Sequence, residues 1–230
     1  MDNMFETLMR LPLFQGVGRE SISDLIEKYP FHFLKFQDGD TIIAQGDECT
    51  HVRFLVSGQV MVTTSSQVLR VSLSQKIVAP NVIGPDYLFG RQTAYPYTVR
   101  ALGVCGILQV SKSDYVEIVQ SNKVYLYNIL NYLSRNSQVH TLTLLNQSHG
   151  LIAERLAKLV LTLTTAQSED IVLNFRQKDL CNLLGARRTS LVNALDDLSK
   201  LGIIEADLSQ VKVLNRRALI QLIKATDQTE

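Results

Sequence analysis

The sequence predicts an α+β protein, and three observations lead to that prediction. Between residues 31 and 111, short runs rich in β-branched and aromatic residues alternate with turn signals such as Asp-Gly and Gly-Asp. From residue 122, a long segment carries apolar residues at helical spacing. Between residues 176 and 198, two short amphipathic stretches flank a glycine. Strands gathered in one part of the chain and helices in another are typical of the α+β class.

Composition bounds the class of protein. The chain has 230 residues, of which 46% are hydrophobic, so a sizeable core can form. The three cysteines, Cys49, Cys105 and Cys181, lie far apart without CxxC spacing, which argues against a disulfide framework and a zinc site. The sequence has no run of 18 apolar residues and no apolar core of signal-peptide type. We therefore expect a cytoplasmic protein without membrane contact, metal or cofactor.

The β-rich part predicts a domain over residues 1–121, with helices at 4–10 and 21–28 before the strands. Strands this short, separated by tight turns, favour a sandwich or barrel, here a double-stranded β-helix or jelly roll. Residues 86–97 interrupt the pattern with a single helical turn and a loop. Ser57 and Gly58 are interpreted as a turn. The predicted strands are FHFLKF, TIIA, HVRFLV, QVMVTT, VLRVSLS, KIVAP, NVIGP, YTVRAL and GVCGILQV.

Residues 122–148 predict one long helix with a narrow stripe that follows the 3.5-residue repeat of coiled coils. A helix packed only on its own domain usually shows a wider apolar face, so the stripe favours a dimerisation helix. Packing within one chain is the alternative. His140 is interpreted as a seam or surface residue rather than a ligand. The predicted seam consists of Leu126, Ile129, Leu130, Leu133, Asn136, Ser137, His140 and Leu144.

Residues 149–230 predict a winged helix-turn-helix domain. Leu180, Leu183 and Leu184 recur at helical spacing, Gly185 interrupts, and a second periodic run leads to Leu198. Two short helices joined by a turn that contains glycine describe a helix-turn-helix. A helix over 151–165 and the strand IVLNF precede it, the runs GIIEA and VKVLN form the predicted wing, and a short helix over 216–225 closes the domain.

The second helix begins with polar residues suited to duplex DNA. Recognition helices present their N-terminal residues to base edges, and arginine can donate two hydrogen bonds to guanine. Arg187 and Arg188 are the predicted base contacts, Thr189 and Ser190 can bind a base or a phosphate, and Ser190 is expected to help cap the helix. A solvated helix face is the alternative. Residues 176–190 hold four cationic side chains against one acidic one, a local charge of +3 in a chain of net charge +1.

The layout resembles the cyclic-AMP receptor protein and fumarate-nitrate regulator family of bacterial transcription factors. The segments FLVSGQV, IGPDYLFG, TVRA and FRQKDLCNLLGARRTSLVNAL carry the resemblance. It implies a cyclic-nucleotide-binding-like roll, a homodimer, a two-fold symmetric operator in double-stranded DNA and a small-molecule effector, with RNA polymerase as a further candidate partner. It also implies that Arg188 reads bases, that Gln177 and Lys178 approach the DNA backbone, and that the helix residue Asn193 faces DNA.

The chain departs from the family at residues that matter for ligand and target. Members that bind cyclic AMP place a glutamate after the glycine of the phosphate-binding turn, where Pro85 follows Gly84 here. They place an Arg-Ser pair where Tyr95 and Pro96 stand, and a tyrosine lacks the forked, charged pairing that arginine offers a phosphate. Thr189 and Asn193 replace the glutamate and arginine of typical recognition helices, so we expect a different target site. The cysteine cluster of iron–sulfur members is missing.

The degenerate phosphate-binding turn leaves two interpretations open. The turn at 86–90 could present backbone N–H groups to an anion near Arg91 or Arg100. Alternatively, it is a vestigial loop that packs Tyr87, Leu88 and Phe89 into the roll, and this is the favoured interpretation. The candidate ligand residues are Gly84, Tyr87, Leu88, Phe89, Gly90, Arg91, Tyr95, Tyr97, Thr98 and Arg100.

Two other functions compete with a DNA-binding regulator. An enzyme would need a recognisable catalytic set, and the sequence has no Ser/His/Asp arrangement, HExxH motif or Gly-rich phosphate loop. Cys49 and His51 are the only candidate catalytic pair. A ligand-sensing or protein-interaction module whose helix-turn-helix no longer binds DNA also stays open, because residues 148–230 carry 11 Lys and Arg against 10 Asp and Glu.

Overall fold

The computed structural model describes residues 2–145 and 150–226. They form two compact units. The roll unit comprises Met1–Val62 and Ile77–Ser137, and the helix-turn-helix unit comprises Thr63–Lys76 and Gln138–Glu230. Residues 63–76 lie inside the predicted first domain of the chain but group with the C-terminal segment. The two units describe how the chain packs. The domain boundaries inferred from the sequence stay a prediction.

The roll unit holds the β-rich segment predicted from the sequence. Its helices are α1 (Asp2–Met9), α2 (Arg19–Lys28), α3 (Lys112–Ser121) and the start of α4 (Lys123–Leu145), with single 3₁₀ turns at Pro12–Phe14 and Pro85–Tyr87. Its strands are β1 (His32–Phe36), β2 (Thr41–Ile43), most of β3 (His51–Ser66), the end of β4 (Val71–Val78), β5 (Asn81–Ile83) and β6 (Tyr97–Ser111).

Strand β6 organises the roll. It pairs antiparallel with β1 and β2 and is hydrogen-bonded to β3, which in turn pairs antiparallel with β5. The inward side chains of these strands are β-branched, aliphatic or aromatic, and they form one buried cluster with the N-terminal helices. Phe14 and Phe54 lie at its centre, with ring centroids 5.7 Å apart and exposures of 1% each. The jelly-roll prediction is confirmed at this level.

The predicted turn at Ser57 and Gly58 is wrong. Ser57 and Gly58 do not separate two strands, because β3 continues through them, and β6 continues through Gly103 in the same way. Both glycines have a left-handed φ, +79° at Gly58 and +69° at Gly103. A glycine inside a strand lets the strand bend without ending its pairing. The sequence signal therefore marks a bend rather than a reversal of direction.

The helix-turn-helix unit is built on a sheet to which distant parts of the chain contribute. Strand β7 (Glu169–Phe175) pairs antiparallel with β4 on one side and with β9 (Gln210–Val213) on the other, and β9 pairs with β8 (Ile204–Ala206). The β8–β9 hairpin is the predicted wing. Strand β4 begins at Val71, so the predicted strand VLRVSLS is too long at its start, where residues 67–70 form a turn.

Polar contacts fasten the β3–β4 hairpin within this unit. The side chain of Gln75, 4% exposed, donates to the carbonyl oxygen of Leu163 over 3.1 Å and accepts from the backbone N–H of Thr165 over 3.1 Å. Lys76 pairs with the carboxylate of Asp170 at 2.6 Å. A buried amide is stable in a core when its hydrogen bonds are satisfied. These bonds of Gln75 explain why residues 63–76 pack with the C-terminal segment.

Four helices cover the sheet of this unit: α5 (Ile152–Thr162), α6 (Gln177–Leu184), α7 (Arg188–Lys200) and α8 (Arg216–Thr226). Leu156, Leu180, Leu191 and Leu195 are buried in one cluster with the inward residues of β7 and β9. The apolar periodicity that predicted the two central helices is therefore the periodicity of this core.

Gly58→Ala should destabilise the roll severely. An added Cβ would collide with the carbonyl oxygen of Val104 and lie 2.7 Å from the Cβ of Cys105. The left-handed φ adds roughly 1–2 kcal/mol and the overpacking about 1–3 kcal/mol to the loss of unfolding free energy. Gly103→Ala is the matched control, because it has a similar φ and nothing within 4 Å of its Cβ. Equal losses for both variants in urea unfolding would contradict the tight contact.

Candidate nucleic-acid interface and ligand site

The turn between α6 and α7 depends on Gly185. Its φ of +59° and ψ of +39° place it in the left-handed region that favours glycine. The N–H of Ala186 donates to the carbonyl oxygen of Cys181 over 2.9 Å, and the N–H of Gly185 donates to that of Asn182 over 3.3 Å. These bonds end α6 and turn the chain sharply into α7. Cys181 is half-buried beside this turn.

Arg155 on α5 holds the same turn from the other side. Its Nη1 donates to the carbonyl oxygen of Leu184 over 2.8 Å, and its Nε donates to that of Gly150 over 3.1 Å. The last carbonyl groups of a helix have no partner within the helix, so a guanidinium that binds one of them fixes the helix end. Sequence reasoning missed Arg155, since nothing in its spacing links it to a residue 29 positions away.

The recognition helix α7 separates its buried and exposed faces. Leu191, Leu195 and Leu198 are buried, while the predicted DNA-contacting residues Arg187, Arg188, Thr189 and Asn193 are exposed and Ser190 is half-buried. The predicted capping role of Ser190 is wrong. The helix begins after Arg187, so Ser190 is its third residue and its side chain cannot replace the N-cap. No side chain caps the first turn of α7.

The first turn of α6 presents the two residues expected to approach the DNA backbone. Arg176 is the N-cap residue of α6 and is exposed, Gln177 is half-buried and Lys178 is exposed. Asp179 follows in the same turn and is half-buried. The cationic side chains at the starts of α6 and α7 therefore lie on the surface of the unit.

The degenerate phosphate-binding turn is filled by aromatic rings. Gly84 has the left-handed φ of +56° and precedes the 3₁₀ turn Pro85–Tyr87. The rings of Tyr87, Tyr95 and Tyr97 contact one another, with centroid separations of 6.1 Å, 5.7 Å and 5.6 Å. A Cβ added at Gly84 would collide with the hydroxyl of Tyr97. The space in front of this turn is therefore occupied by tyrosine side chains.

Tyr95 is the centre of this cluster and is 1% exposed. Its hydroxyl donates to Cys49 Sγ over 2.8 Å and accepts from Arg53 Nη1 over 3.2 Å. Burial, followed by the bond to Cys49, raises the pKa of Tyr95 well above its ordinary value, so the hydroxyl keeps its proton. Sequence reasoning did not identify Arg53 as part of this site, because it is only one residue within the predicted strand HVRFLV.

The remaining candidate ligand residues divide between the core and the surface. Leu88 is 1% exposed, which agrees with the packed-loop interpretation, whereas Phe89 is 43% exposed with Lys112 Nζ 5.0 Å from its ring centroid. Thr98 is half-buried and its hydroxyl accepts from the N–H of Gln45. The other three residues, Gly90, Arg91 and Arg100, are exposed.

Cys49 and His51 do not form a thiol–imidazole pair. Cys49 Sγ donates to the backbone carbonyl oxygen of His51 over 3.6 Å, while His51 Nδ1 lies 2.8 Å from the hydroxyl of Thr50. Burial raises the pKa of the Cys49 thiol, which disfavours the nucleophilic thiolate. Among residues 2–145 and 150–226, no group of three or more His, Cys, Asp or Glu side chains could hold a metal ion.

Helix α4 has two faces. Tyr125 and Ile129 pack against the core of the roll, and Asn136 Nδ2 donates to the carboxylate of Asp86 over 3.2 Å. Ile129 and Asn136, which the sequence predicts in the dimer seam, thus contact their own unit on the side of the helix that carries Tyr125, and the seam stays a prediction. Leu126 and Leu130 lie on the outer face, 40% and 49% exposed.

The other predicted seam residues fall into two groups. Leu133 is half-buried and Ser137 is exposed. The side chains of His140 and Leu144 lie outside the described residues.

In the described part of the chain, no helix is long and apolar enough to cross a membrane.

A β-roll in the same chain as a winged helix-turn-helix defines a class of DNA-binding transcription regulators. The family model "Cyclic nucleotide-binding domain" matches residues 33–122, and the model "Crp-like helix-turn-helix domain" matches residues 154–222. The chain belongs to the cyclic-AMP receptor protein and fumarate-nitrate regulator family, and as a member it is a DNA-binding transcription regulator.

Similar proteins show how far each part of the resemblance extends. The potassium channel SKOR of Arabidopsis thaliana is 29% identical over 119 residues, which are 48% of this chain and only 13% of the channel. The cAMP-activated global transcriptional regulator CRP of Haemophilus influenzae is 19% identical over 191 residues, 81% of this chain and 85% of that protein. The crystal structure of the Thermus thermophilus catabolite activator protein shares the fold, with a TM-score of 0.51, 18% identity and coverage of 93% and 99% of the two chains.

Tyr97→Phe should make the protein less sensitive to alkaline pH. Burial raises the pKa of Tyr97 well above its ordinary value of 10.0, with neighbouring Tyr95 the next cause. The folded state therefore keeps a proton that the unfolded state loses above pH 10. The stability that this proton contributes is complete below pH 10 and falls as pH rises towards the folded pKa, by about 1.4 kcal/mol per pH unit.

Urea unfolding between pH 8 and pH 11.5 measures this dependence. Above pH 10, Tyr97→Phe should make the unfolding free energy fall less steeply with pH, by about 1.4 kcal/mol per pH unit. Tyr127→Phe, at a residue that is 63% exposed, should leave this slope unchanged. Parallel curves for the Tyr97 variant and the unmodified protein would contradict the buried tyrosine.

Proposed function

We propose that this protein is a homodimeric transcription regulator whose roll senses a small effector other than cyclic AMP, or binds cyclic AMP much more weakly than its cyclic-AMP-activated relatives do. It acts in the cytoplasm on a two-fold symmetric operator, and RNA polymerase is a further candidate partner. The observation that carries the proposal is the exposed cationic start of α7, held by the Gly185 turn and by Arg155. A structural core alone does not need two adjacent exposed arginines at that position.

DNA contact is assigned by position along the two helices. Arg188 is the first residue of α7, where side chains reach base edges in helix-turn-helix proteins. Arg187, Thr189, Ser190 and Asn193 lie in the first two turns at the same end of the helix. Gln177 and Lys178, in the first turn of α6, are assigned to backbone phosphates. Further along both helices the leucines are buried in the core, so the N-terminal ends of the helices are the surfaces left for DNA.

Dimerisation is assigned to the outer face of α4. Leu126, Leu130, Leu133 and Ser137 follow the coiled-coil spacing of four, three and four residues, and the two leucines nearest the start of the helix are largely exposed. Paired exposed leucines on a regular stripe are costly in water and favour association with a second copy. This seam does not include Ile129 and Asn136, because both contact their own roll.

The effector is argued from what the roll offers at the degenerate turn. Pro85 supplies neither a carboxylate nor a backbone donor, and the three tyrosines offer neutral hydroxyl groups rather than a guanidinium. Arg53 is bonded to Tyr95 and lies half-buried beside Cys49. An effector in this place would have to displace aromatic rings, which favours a ligand with apolar or aromatic surface over a cyclic phosphate.

Arg188→Ala should weaken binding to the preferred operator by roughly 1–3 kcal/mol and relax the base preference at one position in each half-site. Lys200→Ala is the matched control at the far end of the same helix, where Lys200 pairs with Asp196. Binding to a panel of single-base operator variants measures both effects. An equal loss of affinity on every sequence would make Arg188 a phosphate contact instead of a base contact.

Cyclic AMP should not bind in the micromolar range, because the carboxylate and the arginine that its recognition requires are replaced by Pro85 and Tyr95. Isothermal titration calorimetry on the dimer measures this directly. Stoichiometric heat with a micromolar dissociation constant would overturn the proposed effector class while leaving DNA binding untouched.

Leu130→Asp should give monomers that bind the operator only weakly. It places a charge on the exposed seam, opposite the same charge of the partner helix, and it leaves the core of the roll intact because Leu130 is 49% exposed. Asn131→Asp introduces the same charge one residue along, about 100° around the helix, and should stay dimeric. Sedimentation velocity distinguishes the two, and a dimeric Leu130 variant would place the interface elsewhere.

A further inference from the structure

The pairing of β4 with β7 brings a residue from far along the chain to the start of the helix-turn-helix. Val71 is the register partner of Phe175. Arg70 is the last residue of the turn before β4 and Arg176 is the residue after β7, and both line one hollow of about 340 Å³ that is open to solvent. Arg176 is the N-cap residue of α6. Arg70 thus lies beside the helix end that carries Gln177 and Lys178.

The lining of this hollow is suited to an anion. Its side chains are two guanidinium groups together with hydroxyl, amide and apolar groups, and none of the lining residues is acidic: Ser65, Ser66, Gln67, Arg70, Val71, Ser72, Asn174, Phe175 and Arg176. Within residues 2–145 and 150–226, neither Arg70 nor Arg176 has an ion-pair partner. Two cationic side chains that line the same hollow repel each other, and a bound anion offsets that repulsion.

The backbone conformation of Arg70 is a second unfavourable feature of this hairpin. Its φ is +49°, a left-handed conformation that asparagine or glycine would adopt more readily. Arg70 is exposed and its side chain packs in neither buried core cluster. An exposed arginine with an unfavourable φ, placed beside another arginine, has no role in the stability of this hairpin that the structure shows.

We propose that Arg70, together with Arg176, binds a DNA backbone phosphate that flanks the half-site read by α7. The inference rests on the proposed DNA-binding function and extends its interface beyond the helix-turn-helix, to the tip of the β3–β4 hairpin. The first helix of a helix-turn-helix crosses the DNA backbone, and the hollow opens at the N-terminus of that helix. An open hollow admits the edge of a long duplex, whereas a small anion would be exposed to solvent on most sides.

The test is the salt dependence of DNA binding by the full-length dimer. Arg70→Asn removes the charge and keeps a residue that tolerates the left-handed φ, so the fold should be retained or slightly stabilised. The slope of log K against log salt should become shallower by about 0.9 for each phosphate that the variant no longer neutralises, hence by about 1.8 for a dimer, with base preference unchanged. Arg217→Asn, an exposed cation on α8 of the same unit, is the control of equal charge and should keep the slope.

A phosphate-by-phosphate measurement locates the bound phosphate. Replacing single phosphates by neutral methylphosphonates should reveal one position outside the half-site read by α7 where the unmodified protein loses affinity and the Arg70→Asn variant does not. If the unmodified protein binds the duplex but the Arg70 variant keeps the same slope and the same phosphate profile, the inference is wrong and the proposed function stands. If the unmodified protein binds no duplex selectively, both fall. If millimolar inorganic phosphate binds at Arg70 but leaves DNA binding unchanged, the hollow is a site for a small anion. That result would also overturn the inference.

Discussion

The left-handed turn at Gly185 is the constraint on which the functional half of this protein depends. It ends α6, sets the direction of α7, and is held by Arg155 from α5. The angle between the two helices then determines which side chains stay outside the leucine core. The arginines at the start of α7 are exposed because they stand at its N-terminal end, before Leu191, the first buried residue of the helix.

The roll matches the cyclic-nucleotide-binding domain model, but the turn at Gly84 carries its own set of side chains. Gly84 has a left-handed φ, and the 3₁₀ turn Pro85–Tyr87 follows it. The chemistry in front of it differs, since three mutually packed tyrosines fill the space and their hydroxyl groups keep their protons. Family membership and effector identity are therefore separate questions here: the first follows from the fold and the second from Pro85, Tyr95 and Arg53.

Features set by local sequence were predictable, and features set by distant contacts were not. The helix-turn-helix, the wing and the long helix follow from apolar spacing and from Gly185, and the structure contains all three. The bend at Gly58 was predicted as a turn, because a glycine between two β-rich runs signals both and only strand pairing decides between them. Arg155 and Arg53 bind residues far along the chain, so no local pattern marks them. The predicted seam is ambiguous for a similar reason, since Ile129 and Asn136 belong to its stripe and also contact their own roll.

The central claim is that two copies of this chain present their recognition helices to successive major grooves of one duplex. Selection of bound duplexes from a random pool tests it most directly, because it presupposes neither operator nor effector. The account predicts enriched sequences with two-fold symmetry, whose half-sites lie about 10 base pairs apart or a multiple of that spacing. Enrichment of single, asymmetric sites would contradict the dimer geometry, and a pool that stays random through the selection would contradict sequence-specific DNA binding itself.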